Sequence, residues 1–145
     1  LDQALSEFKQ LREVPRPGNG WVQAIRKTLG MSAKQLGNRA NMSQAAIAQI
    51  EKSEADGKTT LSTMNKMAAA LDCTFVYALV PKTTLRDSIE RQALNIAVKR
   101  VRSASHSMAL ESQTVPDEQT DLQIKMLTDE ILTTMPRYMW DQDGS

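Results

Sequence analysis

The sequence has little of the chemistry that disulfide frameworks, metal sites and nucleophilic catalysis need. Its 145 residues include one cysteine, Cys73, and one histidine, His106. A single cysteine excludes an intramolecular disulfide framework and a Cys-rich zinc site, and a single histidine leaves little for histidine-based metal or triad chemistry. No glycine-rich loop that could cradle a phosphate and no nucleophile beside a base is visible. We therefore expect no enzymatic activity, no cofactor and no metal.

Aromatic residues and long apolar runs are also scarce. Aromatic residues make up 4% of the chain, which favours helices over a β-sandwich or a barrel. The most apolar stretch, residues 75–81, is far shorter than the roughly 18 residues that a membrane helix needs. No secretory signal is visible. The default expectation is a bacterial-type cytoplasmic protein that does not enter a membrane.

Charge is distributed unevenly along the chain. Residues 1–110 contain 16 lysines and arginines against 9 acidic residues, whereas residues 111–145 contain 2 against 8. A basic body suits a polyanionic partner, and an acidic extension suits a basic partner or a contact with the chain itself. Simple solvation of the extension is the alternative.

Helical spacing of apolar residues dominates the chain and predicts a mainly α fold. An amphipathic helix is expected over residues 2–14, followed by a break over residues 15–20. Four short helices should follow in close order, with Ser32 and Ser43 as N-caps of the second and third. The other predicted helices cover residues 21–29, 61–71, 84–108 and 117–134.

One β-strand is predicted, in a β-branched and aromatic stretch that ends at Pro81. A lone strand cannot satisfy its own backbone groups. Since no second strand is visible, we expect the same strand of a second copy to pair with it in a homodimer. The dimerisation strand comprises Thr74, Phe75, Val76, Tyr77, Ala78, Leu79 and Val80.

These elements predict four segments along the chain. Residues 1–18 would form an N-terminal helix and linker, and residues 19–73 a domain of four short helices. Residues 74–110 would add the strand and a basic helix for dimerisation. Residues 111–145 would form the acidic C-terminal extension.

The most informative stretch joins two short helices by a very tight connection at Asn41 and Met42. Gly37 is small enough for a close helix crossing, and Asn41 tolerates the left-handed backbone that such a turn demands. Ile47 and Ile50 would then fill the core between the helices. This pattern is typical of a helix-turn-helix, whose second helix enters the DNA major groove.

Helical geometry separates the two faces of that second helix. Ile47 and Ile50 point to one side, whereas small and polar residues point to the other. Base reading is assigned to Gln44, Ala45 and Gln49, because a glutamine amide matches adenine and an alanine can contact a thymine methyl group. Phosphate contacts are assigned to Ser32, Lys34, Arg39, Ser43, Lys52, Lys58, Thr59 and Thr60. A helical core with capping serines and solvated lysines is the alternative.

Residues 19–80 resemble the Xre/Cro/C1-type helix-turn-helix family, the fold of the phage repressors. The resemblance implies a lambda-repressor-like bundle, in which residues 19–73 form the helix-turn-helix DNA-binding domain. Together with the predicted dimerisation strand, it leads to the hypothesis of a homodimeric transcriptional repressor that reads a palindromic operator in double-stranded DNA. This sequence departs from the family at Ala33, where a glutamine is common, and at Asn41, where glycine is usual. The matching residues are Ser32, Leu36, Gly37, Asn41, Ser43, Gln44, Ile47, Gln49, Ile50, Glu51, Leu61, Met64, Met67, Ala68, Ala70 and Leu71.

A narrower resemblance covers roughly residues 1–112. The lead-in at residues 17–21, the predicted strand and the following basic helix look like the family called mobile mystery protein A. That resemblance implies the antitoxin of a toxin–antitoxin pair, a repressor of its own promoter beside a Fic-domain protein. A partner-binding antitoxin that neutralises the Fic-type protein through its C-terminal region is the alternative.

Residues 135–140 combine two aromatic residues and two methionines beside acidic residues. Tryptophan and tyrosine are typical anchors at protein interfaces. The segment is therefore a docking peptide for a partner, an end that docks on the chain itself, or a disordered end.

Overall fold

The computed structural model describes residues 1–110 and 117–142, which form two compact units. The central unit is continuous in sequence and comprises Phe8–Leu79. The terminal unit combines Leu1–Glu7 with the chain from Val80 onward. The linker predicted near residues 111–117 falls almost entirely outside the described residues.

The described residues are mainly α-helical. The α-helices are α1 (Asp2–Ser6), α2 (Trp21–Thr28), α3 (Ala33–Ala40), α4 (Gln44–Ala55), α5 (Leu61–Ala70), α6 (Leu85–Leu110) and α7 (Asp117–Thr134). Two short 3-10 helices, Lys9–Glu13 and Arg137–Trp140, complete the regular structure. Within this part of the chain, no helix is long and apolar enough to cross a membrane.

Helices α2 to α5 enclose the core of the central unit. The N-termini of α3, α4 and α5 are well defined, because Ser32, Ser43 and Thr60 each accept a hydrogen bond from the backbone N–H three residues later. Such caps satisfy backbone donors that have no partner inside the helix. The buried core consists of Val22, Leu36, Ile47, Met64, Met67, Ala70 and Leu71.

The terminal unit is built on the contact between α6 and α7. Ala93 and Ala97 of α6 are fully buried, and Ile131 of α7 packs in the same core. The N-terminus of α6 is capped from the start of the chain. Asp2 accepts a hydrogen bond from Leu85 N–H at 2.7 Å and another from Arg86 N–H at 3.0 Å.

The segment 135–140 docks on its own unit. Met139 is 1% exposed, and its carbonyl oxygen accepts a hydrogen bond from Gln92 Nε2 at 2.7 Å. The Arg100 guanidinium lies 4.5 Å from the centre of the Tyr138 ring. Of the alternatives for this segment, the structure shows the contact with the chain itself.

The predicted strand does not form in the single chain, and no other β-strand occurs among residues 1–110 and 117–142. Thr74, Phe75, Val76, Tyr77, Ala78, Leu79 and Val80 have no regular secondary structure. The β-branched and aromatic side chains favour extended backbone, but a strand also needs a hydrogen-bonded neighbour. The described part of this chain supplies none.

The predicted helix over residues 2–14 is also wrong in its extent. It is replaced by α1 and the 3-10 helix Lys9–Glu13. The two pieces belong to different compact units, which divide between Glu7 and Phe8. Tertiary contacts therefore override a helical spacing that runs across the boundary.

Candidate nucleic-acid interface

The turn between α3 and α4 brings the two helices unusually close together. Asn41 has a left-handed backbone, with φ of 55° and ψ of 45°, and Met42 N–H donates to Gly37 O at 2.8 Å. A Cβ placed on Gly37 would lie 2.5 Å from Met42 O. Only glycine fits there without a shift of the backbone, as the sequence pattern predicted.

Helix α4 has one buried and one exposed face. Ile47 is completely buried, and Ile50 packs against the same core. Gln44, Ala45 and Gln49, the residues to which base reading was assigned, are all exposed. Ala48 and Lys52 are exposed as well, so this face is small or polar along its length. That profile permits close approach to the edges of base pairs.

The predicted phosphate-binding residues occupy α3, α4 and the loop that follows α4. Lys34, Lys52 and Lys58 are exposed, and Thr59 is half-buried. Ser32 Oγ accepts from Gln35 N–H at 3.1 Å, and Ser43 Oγ accepts from Ala46 N–H at 3.1 Å. Since each serine oxygen acts as an acceptor here, its hydroxyl proton can still be donated to a phosphate oxygen.

Two of the residues predicted to bind phosphates, Arg39 and Thr60, already form hydrogen bonds within the protein. Arg39 Nε donates to Ala70 O at 2.6 Å and so ties α3 to the end of α5. Thr60 Oγ1 accepts from Thr63 N–H and donates to Thr63 Oγ1 at 3.0 Å. A phosphate contact by Thr60 would require a different hydroxyl orientation, whereas the terminal nitrogens of Arg39 remain available for one.

Helix α4 is held from behind by a buried ion pair. Arg26 Nε lies 2.7 Å from Glu51 Oε1, and Arg26 Nη2 donates to Glu51 Oε2 at 3.2 Å. Arg26 Nη1 also donates to Met31 O at 2.9 Å. Both side chains are almost fully buried. This two-point contact fixes the rotation of α4 relative to α2.

A second carboxylate fixes the start of α2. Glu54 accepts hydrogen bonds from Trp21 N–H at 2.6 Å and from Val22 N–H at 2.9 Å. Gly20, with φ of 87°, leaves room for this carboxylate, since a Cβ there would lie 2.7 Å from Glu54 Cδ. A carboxylate at a helix N-terminus satisfies unpaired donors and interacts favourably with the helix dipole.

The contacts of Glu51 and Glu54 were not predicted from the sequence. A usable signal was present, however. Glu51 and Glu54 follow Ile47 by four and seven residues and therefore share its buried face. A carboxylate on a buried face needs a charged or hydrogen-bonded partner, and Arg26 on the preceding helix pattern was the available cation.

The predicted dimerisation segment is largely exposed. Val76, Tyr77 and Leu79 are 65%, 67% and 92% exposed. Phe75 packs against the core of the central unit, and its ring stacks on Tyr77 with a centroid distance of 5.8 Å. The segment therefore starts on the core and continues as apolar side chains open to solvent.

Comparison with known protein families identifies the central unit. Residues 22–77 match a helix-turn-helix family model of the Xre/Cro/C1 type. Searches of curated proteins and of solved structures found no significant match. None of these comparisons matched the mobile mystery protein A family, so that resemblance stays a prediction. Residues 22–77 form a helix-turn-helix domain.

Proposed function

We propose that the helix-turn-helix domain binds double-stranded DNA in a sequence-specific manner and that the protein is a transcription regulator. One observation carries the proposal: α4 buries Ile47 and presents Gln44, Ala45 and Gln49 to solvent. The exposed face is the one that a recognition helix turns toward the major groove. The proposal assigns the chain no enzymatic activity.

Base reading depends on two glutamine amides and one methyl group. Each amide offers a donor and an acceptor in one plane, which matches N7 and N6 of adenine. Gln49 Nε2 lies 3.5 Å from Ser53 Oγ, a contact weak enough to be exchanged for a base. Ala45 can contact a thymine methyl group without blocking the approach of α4.

Affinity comes from contacts with the phosphates. Lys34, Lys52 and Lys58 supply positive charge from exposed positions, and Ser32 and Ser43 place hydroxyl groups at helix N-termini. Such contacts orient a protein on DNA but carry little sequence information. They also make the affinity fall with rising salt concentration, because bound phosphates release counterions.

The proposed regulator is a homodimer that represses transcription from a palindromic operator. The exposed segment 74–80 supports this assembly, since a second copy would supply a strand partner, which residues 1–110 and 117–142 of the single chain do not. In helix-turn-helix dimers, the two half-sites lie about 34–36 Å apart, one turn of DNA. An antitoxin role and a Fic-domain partner rest on the resemblance alone and remain predictions.

Selection from random double-stranded DNA at about 150 mM salt, followed by sequencing, tests the proposal, since this salt weakens nonspecific binding. We expect a palindromic site. Gln44→Ala and Gln49→Ala should each cost about 1–3 kcal/mol and relax preference at particular base pairs. Lys52→Ala should weaken binding to all sequences alike.

Gln10→Ala is the matched control, because Gln10 is exposed on the 3-10 helix Lys9–Glu13, outside α3 and α4. It should bind the selected site like the unmodified protein. Recovery of no sequence from correctly folded protein would contradict the proposed function. Unchanged base preference in both glutamine variants would contradict the assigned recognition face.

A further inference from the structure

The central unit has an apolar groove that contains no residue of α3 or α4. Its volume is about 460 Å³, within the range of about 300–1,000 Å³ that is common for small-molecule sites. The walls come from the 3-10 helix Lys9–Glu13 and the loop after it, α2, α5 and the segment after α5. Residues that define the groove are Leu11, Val14, Trp21, Ile25, Ala68 and Val76.

Several large apolar side chains around this groove are open to solvent. Leu11, Val14 and Trp21 are 52%, 49% and 43% exposed, and Val76 is 65% exposed. Scattered exposed apolar residues are ordinary, but a set that lines one concave surface is typical of a binding site. The groove therefore offers apolar contact area to an occupant.

Arg16 gives the groove a positive charge. Among the described residues that line the groove, Arg16 is the only charged one. Its Nη2 donates to Ala55 O at 3.2 Å and its Nη1 to Glu54 O at 3.5 Å. Both acceptors are neutral carbonyl groups, and Arg16 forms no ion pair with any described residue. Its fork of donors is suited to a carboxylate.

We propose that this groove binds a small carboxylate with an apolar body, and that Arg16 holds the carboxylate. Apolar walls with a single cation match the two parts of such a ligand: the body removes apolar surface from water, and the head meets the guanidinium. As an occupant of the groove, the segment 74–80 of a second copy is less well matched, because it carries no acidic residue for Arg16. The site goes beyond DNA binding and does not depend on it.

Octanoate and octan-1-ol are suitable probes, since they share an apolar chain and differ in the charged head. Trp21 lines the groove, and Trp140 is the second of the two tryptophans. In a Trp140→Phe background, the emission of Trp21 therefore reports occupancy of the groove. We expect saturable binding of octanoate, with an affinity roughly tenfold above that of octan-1-ol, the usual value of one charge-assisted hydrogen bond.

Two variants separate the roles of the charge and the walls. Arg16→Gln should lower the affinity for octanoate about tenfold, to that of octan-1-ol, and leave octan-1-ol binding unchanged. Ala68→Phe should fill the groove and abolish binding of both probes. Ala69→Phe is its control, because Ala69 is exposed on the same helix and does not line the groove. Circular dichroism of each variant confirms that it is folded.

Three results would overturn the proposal: no saturable response to octanoate, equal affinity for both probes, or an Arg16→Gln variant that binds octanoate normally. A dimer that ignores octanoate and dissociates in Ala68→Phe would assign the groove to a second copy instead. None of these readouts involves DNA. A failure of the ligand site is therefore distinct from a failure of the proposed DNA binding.

Discussion

Gly37 and Asn41 show how single residues set the spacing of the two helices in the motif. The Met42 carbonyl oxygen occupies the space where a side chain at position 37 would begin. Asn41 takes the left-handed backbone that most residues avoid. Both features were predicted from sequence, because residue types that permit close approach and positive φ are few.

Gly37→Ala should destabilise the central unit by roughly 1–3 kcal/mol, the usual cost of overpacking. Urea unfolding followed by Trp21 emission in a Trp140→Phe background measures the change. Gly18→Ala is the matched control, because a Cβ on Gly18 would meet no atom within 4 Å. That control should stay within about 0.5 kcal/mol. Equal stability of the two variants would contradict the close helix approach.

Among the elements, those with local signals were predicted well. The serine caps place the beginnings of α3 and α4 correctly, and Ile47 is buried as its spacing indicated. Two elements differ from the prediction for non-local reasons. The helix predicted over residues 2–14 crosses a boundary between units, and the strand predicted over residues 74–80 finds no strand partner among the described residues of the single chain. The spacing of apolar residues along the chain reveals neither the boundary between the two units nor the partner of the predicted strand.

The orientation of α4 depends on its contact with α2, which the Arg26–Glu51 ion pair provides. Glu51→Gln leaves Arg26 as a buried cation without a carboxylate, and breaking a buried pair in this way costs about 3–5 kcal/mol. Urea unfolding of the central unit should show that loss. The double variant Arg26→Met with Glu51→Leu should recover most of it, because neither buried charge then remains.

Glu13→Gln is the control for this test, since Glu13 is exposed in the same unit. Its effect should stay within about 0.5 kcal/mol. If Glu51→Gln is equally mild, the ion pair does not hold α4 in place. Comparison of Glu51→Gln and Gln49→Ala on the selected DNA would further separate loss of helix position from loss of base contact.

For the whole molecule, the proposed dimer depends on apolar side chains that the single chain leaves exposed. Leu79, at 92% exposure, is the most open of them. Leu79→Lys should shift the protein from dimer to monomer in sedimentation velocity, because a charge at the interface would lose its water. The same variant should bind an operator half-site but lose the tight binding to the full palindrome.

Leu122→Lys is the matched control, because Leu122 is 57% exposed on α7. It should sediment like the unmodified protein. A Leu79→Lys variant that remains dimeric would place the interface elsewhere. The residue types of segment 74–80 predicted extended backbone. A single sequence does not show which chain this segment pairs with.

The Asp2 cap on α6 has a consequence for the order in which contacts can form during synthesis of the protein. Asp2 and Leu85, which it binds, are separated by 83 positions, and every residue of the central unit lies between them. Since a ribosome releases the chain from its N-terminus, residues 8–79 are all synthesised before the first turn of α6 exists. Residues 1–7 therefore cannot form this contact until the start of α6 has been synthesised. A proteolytic cut after residue 79 would place Asp2 on a different fragment from Leu85 and Arg86, the residues that it caps. All residues of the central unit would stay together on the N-terminal fragment.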